Sequence, residues 1–120
     1  MEEKRLKQFT FYDLYYEALK GLPDEAAGRM AKNICRFMLT NEEVPEPQDE
    51  RENFFWSNIK DVLEEVKRIE ESGRKPKNLN EKMPHFMFTE TYYKAIKLMT
   101  EAESGQYIKA ICEYMFYGTG

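Results

Sequence analysis

MAKNICRFMLTN, residues 30–41, and YIKAICEYMFYG, residues 107–118, decide how this chain is read. Adding 77 to a residue number in the first stretch lands on its partner in the second. Extended backwards without a gap, the same offset pairs Phe9 and Phe11 with Phe86 and Phe88, and Tyr15 and Tyr16 with Tyr92 and Tyr93. It also pairs Ala18 with Ala95, Lys20 with Lys97, Gly28 with Gly105, Lys32 with Lys109, Ile34 with Ile111, Cys35 with Cys112 and Met38 with Met115. Matches at one ungapped offset read as a duplicated supersecondary unit. Two copies are too few for a solenoid, so the expectation is two units, 9–41 and 86–118, packed face to face.

Apolar spacing gives the elements. In FYDLYYEALKGL, residues 11–22, the apolar positions Phe11, Leu14, Tyr15, Ala18, Leu19 and Leu22 recur at three and four, the period of a helix. Thr10 fits its N-cap, and Gly21 with Pro23 ends it. A second helix is expected from Asp24 to Leu39, its first two acids favouring the positive end of the helix dipole. The second copy repeats both, with Thr100 and Glu103 spaced as a capping box. Gly28 and Gly105 stand inside the second helix of each copy, where glycine costs about 1 kcal/mol against alanine. A close backbone contact, expected with the first helix of the same hairpin, explains them. Tyr15–Tyr16 and Tyr92–Tyr93 each divide into one inward ring and one at the rim.

Between the copies lies an acidic loop, 42–52, and a central helix, 51–71. Phe55, Ile59, Val62, Val66 and Ile69 form a seam of heptad type, spaced 4-3-4-3. This seam packs on the hairpins in one reading and joins two chains as a homodimer in another. Asn53, Phe54 and Trp56 lie off the seam. A loop, 72–85, carries the basic run GRKPK and leads to the second copy. No strand pattern is read anywhere, so the expectation is one all-α domain over residues 1–120: two repeated helical hairpins joined by a central amphipathic helix, about five helices in all.

Composition bounds the function. The 120 residues are 42% hydrophobic, enough for a core, and 33% charged. No apolar run reaches the roughly 18 residues of a membrane span. The charged start MEEKRLKQ lacks a secretory signal, so a cytoplasmic protein without membrane contact is expected. Cys35 and Cys112, each in an apolar helical stretch, read as buried reduced thiols. The net charge of −4 is concentrated in residues 42–56, where six acids meet only Arg51. A mildly acidic chain is a poor non-specific nucleic-acid binder.

Catalytic motifs are missing. His85 is the only histidine, and with two apolar cysteines it makes no zinc site of the usual N/S kind. There is no glycine-rich phosphate loop, GxSxG or HExxH. No catalytic, cofactor or metal residues are assigned, and the chain is not read as an enzyme. Glu64 and Glu65 read as a solvated helix face flanked by Lys60 and Arg68. For a protein partner the candidate residues are the aromatics Phe54 and Trp56 with the acids Glu42, Glu43, Glu46, Asp49 and Glu50. Arg74, Lys75 and Lys77 are the candidates for a nucleic-acid phosphate backbone, the less favoured partner.

The run FYDLYYEALKGLPDEAAGRMAKNICRFMLTNEEVPEP, followed by FFWSNIKDVLEEVKRIEESGRKPK, resembles a family of small phage and prophage proteins from gut bacteria and their relatives. Leu22 to Asp24 match its acidic turn, Gly28 to Met30 its glycine signature, Ile34 to Phe37 its helix core, and Gly73 to Lys77 its basic tail. The tail here reads Arg-Lys-Pro-Lys rather than Arg-Pro-Lys. The resemblance covers residues 9–77, with a second, partial copy over 86–118. It implies a mobile-element origin and no defined activity. The expectation is thus a non-enzymatic protein-interaction module, an inhibitor or anti-defence factor acting on a host protein. A DNA-associated replication or regulatory protein using GRKPK is the alternative.

Overall fold

Phe9 and Phe11 flank Thr10 as Phe86 and Phe88 flank Met87, and alternation is the period of a strand. In the computed structural model, which describes residues 6–40, 42–74 and 84–118, Gln8–Tyr12 (β1) and His85–Thr89 (β2) pair antiparallel. Phe9 lies opposite Phe88 and Phe11 opposite Phe86, with both pairs of ring centroids 5.2 Å apart. The all-α expectation is corrected by this sheet. Phe11 fits a period of two with Phe9 and a period of three to four with Leu14 and Tyr15. The strand prevails because it brings four phenylalanine rings to one face, each worth about 1.5–3 kcal/mol when fully buried.

The remaining elements are helices: α1 (Asp13–Leu19), α2 (Asp24–Leu39), α3 (Glu50–Glu71), α4 (Glu90–Lys97) and α5 (Glu101–Tyr117). Each expected hairpin is therefore a strand–helix–helix unit, β1-α1-α2 and β2-α4-α5. Thr10, expected as an N-cap, sits in β1; Tyr12 takes the cap position and offers no side-chain bond. Thr100 and Glu103 do close a capping box on α5. Both tyrosines of the first pair are buried, whereas Tyr92 lies at the rim and Tyr93 inside.

The glycines meet the other unit, not their own first helix. A Cβ on Gly28 would overlap the Glu101 carbonyl oxygen at the start of α5, and one on Gly105 would overlap that of Asp24 at the start of α2. Without side chains there, α2 and α5 cross in backbone contact. The lysines of the two units are equally reciprocal. Lys32 Nζ donates to the Met99 carbonyl at 2.9 Å, and Lys109 Nζ to the Leu22 carbonyl at 2.8 Å. Each lysine thus satisfies a carbonyl in the turn that precedes the other unit's long helix.

Helix α3 opens on Asp49, whose carboxylate accepts from the Glu52 N–H at 2.9 Å, and lays its apolar stripe on the first unit. Phe55, Ile59, Leu63 and Val66 are buried, while Val62 and Ile69 are half-buried. A straight helix of 3.6 residues per turn drifts from a 3.5-residue seam, which brings Leu63 in and turns Val62 outward. The seam offered for self-association is therefore used within the chain. Cys35 and Cys112 are free and buried. Among the described residues, no helix is long and apolar enough to cross a membrane.

Candidate functional site

The start of α3 sets three consecutive aromatics about 100° apart. Phe55 turns into the core, so Phe54 is left 70% exposed. Phe54 stands at the edge of a groove of about 510 Å³ between α3 and the end of α1. Ala18, Leu22 and Phe55 give the groove apolar walls, and Glu50, Arg51 and Asn58 rim it. Trp56 faces elsewhere: its ring meets Phe37 edge-on at 6.1 Å, and the Lys67 ammonium lies 4.8 Å from the Phe37 centroid. The two aromatics proposed as partner anchors are thus separated: Phe54 is exposed, and Trp56 is half-buried against Phe37.

The acidic candidates are also dispersed, although all are exposed. Glu50 borders the Phe54 groove, and Asp49 caps α3. Glu42 lines a cleft of about 550 Å³ with Thr40, Tyr93, Lys94 and Lys97. Glu46 borders a small cavity beside Arg29 and Arg36, and Glu43 is exposed. Arg74 is exposed just beyond α3, with its Nε donating to Ser72 Oγ at 3.1 Å. Lys75 and Lys77 lie outside the described residues.

Two polar clusters escaped the sequence reading. Glu52 is fully buried and accepts from Arg29 Nε at 3.1 Å and Nη2 at 2.6 Å; Arg29 Nη1 reaches Glu101 at 2.8 Å. These carboxylates push the guanidinium further above its usual range. Arg29 thereby ties α2, α3 and α5 together. In the second cluster, Glu70 accepts from the Thr10 N–H at 3.1 Å and the Thr10 hydroxyl at 2.5 Å. Burial raises the Glu70 carboxyl, and burial together with the Glu70 charge pushes Tyr12 up to about 12. The neighbouring Tyr15 hydroxyl is buried with no partner among the described residues, and desolvation raises it as well. Spacing carries no signal for either cluster, because each joins elements far apart in the chain. The shared Lys32 and Lys109 did carry one, as identical polar residues inside an apolar pattern.

Burial drives both thiols well above the ordinary cysteine value, which opposes thiolate formation. Among the described residues, no group of three or more His, Cys, Asp or Glu side chains is placed to hold a metal ion. What remains accessible is an apolar groove with an aromatic at its edge and a polar rim, a combination suited to holding a protein side chain.

Residues 8–82 match the model of a family of unknown function, DUF6291, and the chain belongs to that family. No curated protein and no solved structure matches it.

Proposed function

We propose that this member of DUF6291 is a non-enzymatic protein-interaction module of phage or prophage origin, which docks on a host protein as an inhibitor or anti-defence factor. The observation that carries this reading is Phe54, 70% exposed beside an apolar groove at the start of α3. Aromatic anchors beside apolar pockets dominate binding energy at interfaces. The concentration of acids in residues 42–56 supports a partner with a basic surface, because opposite potentials steer encounter. The partner supplies an apolar side chain to the groove and lysines or arginines to the acids around it.

Affinity capture from host lysate after nuclease treatment, run in parallel with wild type and Phe54→Asp, tests this reading. A protein retained by wild type and lost at least tenfold with Phe54→Asp is the expected result, with unchanged circular dichroism for the variant. Retention of DNA-associated proteins only, seen in a parallel capture without nuclease and lost with it, overturns it in favour of the basic run at Arg74.

A further inference from the structure

The two strand–helix–helix units bury matching positions to different depths. Thr10 is 2% exposed and Met87, 77 residues on, 41%; Met38 is 1% exposed and Met115 again 41%. Ile34 is buried and Ile111 half-buried, and Phe37 lies under Trp56 while Tyr114 is 61% exposed. In the first unit α3 supplies cover, with Trp56 on Phe37 and Glu70 on the Thr10 N–H. That bond also fixes the hydrogen-bonding phase of the sheet. Thr10 and Met87 are opposite one another, so the Met87 N–H points out of the β2 edge as the Thr10 N–H points out of the β1 edge. Unlike Thr10, Met87 has no carboxylate bonded there among the described residues.

We propose that the surface related to the α3 seat by the offset of 77, which carries Met87, Ile111, Tyr114 and Met115, is a docking site for an amphipathic helix of a partner protein, bound as α3 is bound to the first unit. The occupant is specified by α3 itself, which continues the same core across the equivalent surface of the same chain. From Glu52 to Glu70 it spans about 27 Å at 1.5 Å per residue. A partner helix of that length needs an aromatic over Tyr114, branched aliphatics against Ile111 and Met115, and a carboxylate near its end for the Met87 N–H. It does not need a buried acid at the Glu52 position, because Gln106 stands where the first unit has Arg29. This site is separate from the Phe54 groove.

A fluorescent peptide of residues 50–71 carrying Glu52→Gln is the probe, titrated with the full chain by anisotropy. Saturable binding is expected, weakened at least tenfold by Tyr114→Asp and by Met115→Asp but unchanged by Phe54→Asp. The substituted side chains are exposed, and a thermal melt matching wild type checks each variant. No saturable binding overturns the proposal, as does binding indifferent to Tyr114 and Met115. Sedimentation showing a wild-type dimer that Met115→Asp splits overturns it too, because the occupant is then a second copy of this chain.

Discussion

Phe37 and Tyr114 stand 77 residues apart, each near the end of the long helix of its unit, yet one is half-buried beneath Trp56 and the other is exposed. The residues around them differ in the same sense. Arg29, which grips the buried Glu52 of α3, is matched by Gln106, and buried Asn33 is matched by exposed Ala110. Where the units touch each other, by contrast, they are alike: glycine against backbone and lysine against carbonyl, on both sides. The lesson is that the contact between units is nearly symmetric and that α3 breaks the symmetry from outside. Gly28 with Gly105 and Lys32 with Lys109, which meet the other unit, keep their chemistry, whereas Thr10, Arg29 and Phe37, which meet α3, are replaced by Met87, Gln106 and Tyr114.

The largest effect comes from attacking the symmetric part. Gly28→Ala and Gly105→Ala each force a methyl into a backbone carbonyl of the opposite helix, which cannot yield as a flexible side chain does. Each costs more than about 3 kcal/mol, the upper range for overpacking. The two losses, measured by urea denaturation, are expected to agree closely. A Gly105→Ala variant as stable as wild type would show that the crossing is not shared equally.

Arg29→Gln sharpens the comparison by giving the first unit the residue of the second. It leaves Glu52 fully buried without its cation, a change that costs about 3 kcal/mol where one partner of a buried pair is removed. The reverse exchange, Gln106→Arg, places a cation on an exposed site and changes stability by less than about 0.5 kcal/mol. Equal effects for the two exchanges in the same denaturation experiment would mean that the Arg29–Glu52 contact contributes no more than a surface pair.

The helices were legible because their apolar residues recur along a single segment: α2 falls at Asp24–Leu39 as expected, and the α5 capping box is at Thr100 and Glu103. The sheet was not, because five residues such as FTFY with its leading glutamine form a strand only when a partner 77 residues away completes the pair. Phe54 and Trp56 were legible as off-seam aromatics, but which of them stays exposed depends on Phe37, an element away. Leu63 escaped the seam for a local reason, the drift of a true helix against a heptad. Glu52 falls where the expected acidic loop and central helix overlap, and nothing along the chain marks it as the acid that Arg29 of α2 grips in the interior.

The smallest expected effect lies at the sheet edges, where Glu70 closes β1 and, among the described residues, no carboxylate meets the corresponding Met87. Burial raises the Glu70 carboxyl above its ordinary value of 4.5, even though the bonds from Thr10 oppose the shift. In the unfolded chain the same group titrates near the ordinary value, so between the two the folded state holds more protons. Stability from this group is therefore full below pH 4.5 and declines as pH rises through the elevated value, then levels off. Glu70→Gln keeps an oxygen to accept both Thr10 bonds and removes the titration. Its stability curve is expected to run above wild type at neutral pH and to converge with it in acid, in urea denaturation from pH 4 to pH 8. The opposite slope would mean that the Thr10 bonds outweigh burial, so that the charged carboxylate is the form that seals the β1 edge. A partner helix on β2 would then be expected to bring its carboxylate ionised.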